Sequence, residues 1–189
     1  MCDTVVGEIR ALLEERAFVI IAIDGRCGAG KTTVAAELQK RLDCNVVHMD
    51  DFFLRQEQKT EQRLAAAGEN IDHERFLREV LLPLSRNEAF SYRPYNCKRQ
   101  ALAEPVRVLP KSVTVIEGSY SCHSALWDYY DLHVFMDIDS DSQMKRIIAR
   151  NADMAEVFKK KWIPLEEKYF KAFNIKERCE LCIKHNGKA

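Results

Sequence analysis

Residues 17–33 read AFVIIAIDGRCGAGKTT, and this stretch decides the fold of the chain. Its first part, 17–23, is a continuous apolar run rich in β-branched residues, which predicts a strand buried on both faces, as in a parallel sheet. Its second part fits the pattern GxxxxGK(S/T) from Gly25 to Thr32. Glycines between a buried strand and a helix let successive main-chain N–H groups point inward at phosphate oxygens. The stretch therefore predicts a phosphate-binding loop.

The residue types in this loop predict individual roles. Lys31 is expected to reach the β and γ phosphates of a nucleotide, and the Thr32 hydroxyl is expected to hold Mg²⁺. The helix that begins near Lys31 adds its positive end to the anion site. The residues expected to bind ATP are Gly25, Arg26, Cys27, Gly28, Ala29, Gly30, Lys31, Thr32 and Thr33.

Composition limits the class of protein. The 189 residues suffice for one domain, 1–189, with room for an insertion. Lys and Arg total 29, as do Asp and Glu, which argues against a broad basic face for nucleic acid. The longest apolar run, 18–23, is too short to span a bilayer, and the N-terminus lacks the order of a signal peptide. Seven cysteines without regular spacing favour a reducing compartment. We expect a cytoplasmic protein without nucleic-acid or membrane partners, and a homo-oligomer is compatible with the sequence.

Strands and helices alternate along the chain, which predicts a three-layer α/β domain with a mainly parallel five-stranded sheet. The predicted strands are 17–23, 45–48, 112–118, 131–138 and 180–183, and the main predicted helices are 3–16, 31–42, 140–151 and 153–173. Between them, 49–111 is expected to form an acceptor-binding insertion with a helix capped by Asp72. Residues 144–175 are expected to form a helical lid and the helix that follows it.

Acidic residues follow two of the predicted strands. Asp50 and Asp51 follow the second strand, and Glu117 lies at the end of the third, at the sheet edge that carries the phosphate loop. Phosphoryl transfer to an alcohol needs a base near the acceptor, which either aspartate could supply. Glu117 could hold Mg²⁺ directly or through water. Phe52 and Phe53 would wall the acceptor pocket, although the same acidic and aromatic residues could instead cap a helix and fill a core.

Further candidates lie in the insertion and the lid. Asp72 could both cap its helix and hold a ribose hydroxyl. Arg93 and Tyr95 could contact an acceptor ring, or could belong to a packed hairpin. Arg146 and Arg150 are spaced i,i+4 and share one helix face. Cations in a lid would offset the charge on a transferring phosphoryl group, and Arg150 is the favoured candidate.

Together these motifs resemble those of the uridine kinase and phosphoribulokinase family of P-loop small-molecule kinases. The segment HMDDFF resembles the second-strand segment of the family and implies that Asp50 is the catalytic base. NIDHERF resembles NFDHPDAF, which implies that Asp72 binds ribose hydroxyls. RPYNC resembles PxYD, which implies that Tyr95 contacts the nucleobase of the acceptor. IEG implies that Glu117 binds metal. DIDSDSQMKRIIARN resembles DTDxDxRLxRRxxRD and implies that Arg150 is a lid arginine.

The resemblance implies a kinase that uses ATP and Mg²⁺ to phosphorylate a small hydroxylated metabolite, with a nucleoside such as uridine or cytidine as the expected acceptor. MDDFF is also similar to QDDFF of nicotinamide riboside kinases, and Asn96 stands where uridine kinases have aspartate. A kinase of nicotinamide riboside, pantothenate or another sugar-like alcohol is therefore an alternative. An alternative of another class is an ATP-binding regulatory protein without acceptor chemistry.

Overall fold

The computed structural model describes residues 2–184 of the chain. In chain order its strands are β1 (Val19–Gly25), β2 (Asn45–His48), β3 (Phe90–Tyr92), β4 (Tyr95–Asn96), β5 (Ala101–Leu102), β6 (Val106–Val108), β7 (Val113–Glu117), β8 (Leu132–Asp137) and β9 (Leu181–Lys184). Its regular helices are α1 (Cys2–Glu15), α2 (Lys31–Leu42), α3 (Glu61–Ala65), α5 (Ser140–Arg150) and α7 (Ile175–Arg178). Two further helices are each built from consecutive segments. They are α4 (His73–Phe76, Leu77–Leu81 and Leu82–Leu84) and α6 (Ala155–Val157, Phe158–Trp162 and Ile163–Phe173).

Five strands form a parallel sheet in the order β2–β7–β1–β8–β9. This confirms the α/β fold and the five strands that the sequence predicts. The central strand, β1, has all seven of its residues buried, as the apolar run indicates. Because the strands run in one direction, their carboxyl ends bring the residues after β1, β2 and β7 to one edge of the sheet.

The two faces of the sheet bury separate cores, which gives three layers. Ile21 and Ile23 of β1 pack on the face covered by α1 and α2. Ile20 and Ala22, which alternate with them, pack on the opposite face against the side chains of α4 and α6. None of the helices within residues 2–184 is long and apolar enough to cross a membrane.

The segment 49–111 lies outside the central sheet. It contains α3, α4 and two small antiparallel ribbons, β3 with β6 and β4 with β5. Asp72 caps α4, because its Oδ1 accepts a hydrogen bond from the main-chain N–H of Arg75 at 3.1 Å. The predicted cap is therefore confirmed.

The predicted helix 153–173 is not regular along its whole length. A 3₁₀ turn at Ala152–Met154 leads into α6, and Phe158–Trp162 forms a π-helical turn before Pro164. Proline has no N–H to donate, and the wider turn accommodates the missing hydrogen bond. The irregular turn carries Phe158 and Trp162 to the cleft described next.

Candidate active site

A cleft of about 610 Å³ opens at the carboxyl edge of the sheet. One wall is the turn between β1 and α2, which is the predicted phosphate loop. Gly25 leaves β1 with φ 127°, and a side chain there would collide with the main chain of Met136 on β8. Gly30, at φ 98°, is the N-cap residue immediately before α2. Both positions use conformations that residues with side chains rarely adopt, so these glycines shape the loop.

Lys31 is folded over this loop. Its Nζ donates to the carbonyl oxygens of Gly25 at 2.6 Å and Arg26 at 3.2 Å, and to Ser119 Oγ at 3.3 Å. The side chain is buried but lines the cleft. The ammonium group is therefore held at the place where phosphate oxygens would approach the loop.

The predicted ATP-binding residues divide into two groups. Those that line the cleft are Cys27, Gly28, Gly30, Lys31, Thr32 and Thr33. Ala29 is fully buried beneath the loop. Arg26 points away and binds Glu167 at 2.6 Å and Asp137 at 2.9 Å, so its side chain braces the loop from outside.

Thr32 and Glu117 meet at the opposite side of the loop. The Thr32 hydroxyl lies 3.2 Å and 3.3 Å from the two carboxylate oxygens of Glu117. A hydroxyl and a carboxylate are oxygen donors that suit Mg²⁺. His48 Nδ1, one strand away, lies 2.5 Å from Glu117 Oε1 and orients the carboxylate. The sequence analysis did not single out His48, although it is the register partner of Glu117 in the sheet.

Asp50 opens into the cleft from the turn after β2, and the structure distinguishes it from Asp51. Asp51 instead accepts a hydrogen bond from the Tyr92 hydroxyl at 3.1 Å. Burial by the cleft walls raises the pKa of Asp50, and the charges of Glu117 and Glu166 act in the same direction, against Lys31. A carboxylate with increased proton affinity suits a general base.

Glu166 is a cleft residue that the sequence analysis did not identify. It is 5% exposed, and its carboxylate accepts the main-chain N–H of Cys27 at 3.1 Å and the hydroxyl of Ser119 at 2.6 Å. No local pattern could indicate this contact, because α6 lies 139 positions away from the loop. A carboxylate on an N–H of the phosphate loop places an acidic group beside the site for phosphate.

Part of the cleft lining is apolar. It includes Phe53 and Trp162, whose ring centroids are 6.3 Å apart, and also Leu54 and Leu64. Lys59, Asn70, Tyr120, Cys97 and Lys161 add polar groups. The structure thus places Phe53 in a wall of the cleft, where an aromatic acceptor ring could pack. Phe52 instead fills the core, fully buried against Phe76, so its predicted place in the pocket wall is wrong.

Three predicted acceptor-binding residues are not among the described residues that line the cleft. Asp72 is 2% exposed and serves as the cap of α4. Arg93 donates to the carbonyl oxygens of Ala103 and Leu102, which agrees with the packed-hairpin alternative. Tyr95 is buried in β4. Their roles in acceptor binding remain predictions.

Cations of α5 border the nucleotide side of the cleft. Arg146 donates to the carbonyl oxygen of Gly28 at 3.0 Å. Arg150 is exposed and lines the cleft, with its guanidinium 5.9 Å from the ring of Phe158. The structure therefore brings the predicted lid arginine to the same cleft as Lys31 and Asp50.

Several curated proteins are similar to this chain. Uridine-cytidine kinase B of Dictyostelium discoideum is 29% identical over 147 residues, which cover 72% of this chain and 59% of that protein. Uridine kinase of Macrococcus caseolyticus is 28% identical over 145 residues, covering 71% and 69%. Uridine kinase of Staphylococcus aureus strain JH9 is 29% identical over 147 residues, covering 72% and 70%. The matched residues thus span less than two thirds of the length of the first relative.

Solved structures share the fold. A possible uridine kinase from Bacillus stearothermophilus superimposes with a TM-score of 0.65 at 18% identity, covering 95% of this chain and 99% of that one. YFH7 from Saccharomyces cerevisiae gives a TM-score of 0.74 at 13% identity, covering 99% and 100%. These likenesses support the fold alone.

Residues 20–157, more than half of the chain, match the Phosphoribulokinase / Uridine kinase family. The matched range contains the phosphate loop, Asp50, Glu117 and Arg150. Sequence match, fold and cleft thus agree, and the chain belongs to the phosphoribulokinase / uridine kinase family of ATP-dependent kinases.

Proposed function

We propose that this kinase transfers the γ-phosphoryl group of ATP to a hydroxyl of a nucleoside-like acceptor, with Asp50 as the general base. The observation that carries the proposal is the shared cleft, in which the Asp50 carboxylate, the Lys31 ammonium and the Thr32–Glu117 pair all face one space. A base, a phosphate-binding cation and a metal-binding oxygen set are the groups that phosphoryl transfer to an alcohol requires.

The proposed reaction follows from these positions. Asp50 accepts the proton of the acceptor hydroxyl as its oxygen forms a bond to the γ-phosphorus. The bond from that phosphorus to the β–γ bridging oxygen breaks, and ADP leaves. Lys31 and Arg150 stabilise the negative charge that spreads over the phosphoryl oxygens. Thr32 and Glu117 would hold Mg²⁺, which supplies charge neutralisation on the phosphates when it is bound.

The acceptor class rests on the aromatic and polar residues of the cleft lining. Phe53 and Trp162 offer two aromatic faces, and an aromatic base can pack against either. Lys59, Asn70 and Tyr120, which line the same cleft, supply hydrogen-bonding groups. The relatives named as uridine kinases support the same acceptor class. We further propose that the protein binds a small-molecule acceptor, not nucleic acid or a membrane, and that it is located in the cytoplasm.

An acceptor panel tests it. Purified protein with MgATP is assayed for ADP release with uridine, cytidine, nicotinamide riboside, pantothenate and simple polyols. We expect a nucleoside to stimulate release, and Asp50→Asn to abolish the stimulation. If only pantothenate or a polyol stimulated ADP release, the acceptor would not be a nucleoside. MgATP binding without stimulation by any member would favour an ATP-binding regulatory protein.

A further inference from the structure

Tyr120 has an unusual backbone conformation beside the cleft. Its φ is 74°, a left-handed value that is uncommon for a bulky aromatic residue. Strain of this kind persists only where the surroundings fix it, and it clusters at functional sites. The surroundings here centre on Asp24, a fully buried carboxylate at the end of β1.

Asp24 holds the turn that contains Tyr120. Its Oδ1 accepts the main-chain N–H of Tyr120 at 3.2 Å, and its Oδ2 accepts that of Cys122 at 2.9 Å. The Tyr169 hydroxyl of α6 also donates to Oδ2, at 2.8 Å. The turn after β7 is therefore fixed from the sheet and from α6. The phenol of Tyr120 is held at the cleft wall, packed on Tyr169 at 4.8 Å between ring centroids.

Asn70 meets Tyr120 from the opposite wall. It belongs to the insertion, and its main-chain carbonyl oxygen accepts a hydrogen bond from the main-chain N–H of Leu54 at 3.4 Å. Its Nδ2 donates to the Tyr120 hydroxyl at 3.2 Å. Both side chains line the cleft although they are only 7% and 3% exposed. The pair thus joins the sheet edge to the acceptor-binding insertion.

The hydrogen-bonding capacity of this pair is incomplete. Within residues 2–184, the structure gives no acceptor for the Tyr120 O–H and no donor for Asn70 Oδ1. If the amide of Asn70 were turned over, the pair would instead leave a free amide donor and a free phenol lone pair. Either orientation presents at least one donor and one acceptor side by side. Burial raises the pKa of Tyr120, so the phenol keeps its proton at neutral pH.

We infer that Asn70 and Tyr120 are specificity-determining residues that bind a vicinal diol of the acceptor, such as the two secondary hydroxyls of a ribose. Each hydroxyl of a diol can donate and accept, which matches the donor and acceptor that the pair presents. The pair also lines the cleft, whereas Asp72, the residue that the resemblance assigns to ribose, does not. Asp72 caps a helix through Oδ1, and its Oδ2 is buried without a hydrogen-bond partner among the described residues. This inference rests on the proposed phosphorylation of a nucleoside-like acceptor.

The test removes one hydroxyl from each side of the contact. Tyr120→Phe keeps the ring and deletes only the phenol oxygen, and the acceptor from the panel is compared with its 2′-deoxy and 3′-deoxy analogues. We expect Tyr120→Phe to raise the KM of the parent acceptor about tenfold to a hundredfold, because a buried polar partner is lost. The KM of MgATP should change by less than about twofold. Tyr130→Phe, which removes another buried hydroxyl away from the cleft, should leave both constants unchanged.

The decisive result is the coupling between the two deletions. If the hydroxyls touch, the variant should no longer discriminate one deoxy analogue from the parent acceptor. Asn70→Ala should give the same pattern, and it replaces Tyr120→Phe if that variant proves unstable. The assignment would be overturned if the effects of the variant and of the deoxy analogue on the KM were independent of each other. It would also be overturned if the variant were coupled to a change in the nucleobase instead of the sugar. Absence of stimulated ADP release in the wild-type protein would overturn the proposed function itself, together with this inference.

Discussion

The hydroxyl of Thr32 bridges both carboxylate oxygens of Glu117, at 3.2 Å and 3.3 Å, and so joins the start of α2 to the end of β7. Two residues separated by 85 positions thus form one oxygen cluster beside the phosphate loop. His48 fixes the carboxylate from the adjacent strand. We expect a divalent cation to bind at these oxygen atoms.

Glu117→Gln should therefore weaken the use of Mg²⁺. The amide keeps the size of the side chain but removes the charge, and we expect the Mg²⁺ concentration for half-maximal activity to rise at least about tenfold. A magnesium titration at fixed ATP measures this. Glu37→Gln, an exposed residue of α2, serves as the control. An unchanged magnesium requirement in Glu117→Gln would remove Glu117 from the metal site.

The sheet and its phosphate loop could be predicted from sequence because their signals are local. β1 and the glycine turn follow one another in a single stretch, and burial on both faces leaves a continuous apolar run. The cap at Asp72 is likewise a local pattern. In contrast, the contacts of Glu166 with Cys27 and of His48 with Glu117 depend on how distant elements pack, and one sequence does not contain that information.

The acceptor side was harder to predict for a second reason. The ribbons β3–β6 and β4–β5 are two or three residues long, too short for a periodic pattern. Resemblance therefore carried the assignment of Tyr95 and Asp72, whereas in the structure both are buried and neither lines the cleft. The contact between Asn70 and Tyr120 could not be predicted from the sequence, because the two residues lie 50 positions apart and only the fold brings them together.

Arg150 should act on the rate more than on binding. It is exposed at the cleft, where it can reach a charge that grows during transfer. We expect Arg150→Ala to lower kcat about tenfold to a hundredfold, with little change in the Kd of MgATP. Lys145→Ala is the matched control, since Lys145 is an exposed cation of the same helix that does not line the cleft. An equal loss in both variants would indicate a general charge effect.

Replacement of Glu166 should strengthen the binding of MgATP. Glu166→Gln keeps a carbonyl oxygen for the N–H of Cys27 and an amide for Ser119 Oγ, but it removes a negative charge beside the phosphates. MgATP should then bind more tightly, by about tenfold for a pair partly shielded by protein. Calorimetry measures the Kd, with Glu156→Gln as the control, since Glu156 is an exposed carboxylate of the same helix that does not line the cleft. Weaker binding in Glu166→Gln would mean that the carboxylate supports the nucleotide site.

The pH dependence of kcat/KM should report Asp50. The base must be ionised, and because burial raises the pKa of Asp50, its ionised form is lost at a higher pH than for an ordinary aspartate. Activity should therefore decline on acidification, with its midpoint above about pH 4. MgATP affinity is measured at each pH, because the nucleotide also titrates. A midpoint at or below about pH 4 would contradict a base in this environment.

The most direct test of the account follows the γ-phosphoryl group itself. ATP labelled at the γ position is mixed with the acceptor and with wild-type, Asp50→Asn or Asp51→Asn protein, and the labelled products are separated. We expect label in the acceptor, a loss of about a hundredfold or more in Asp50→Asn with MgATP affinity retained, and a smaller loss in Asp51→Asn. Label found only in inorganic phosphate, or transfer by Asp50→Asn at the wild-type rate, would contradict the claim that Asp50 and the phosphate loop act on one acceptor hydroxyl.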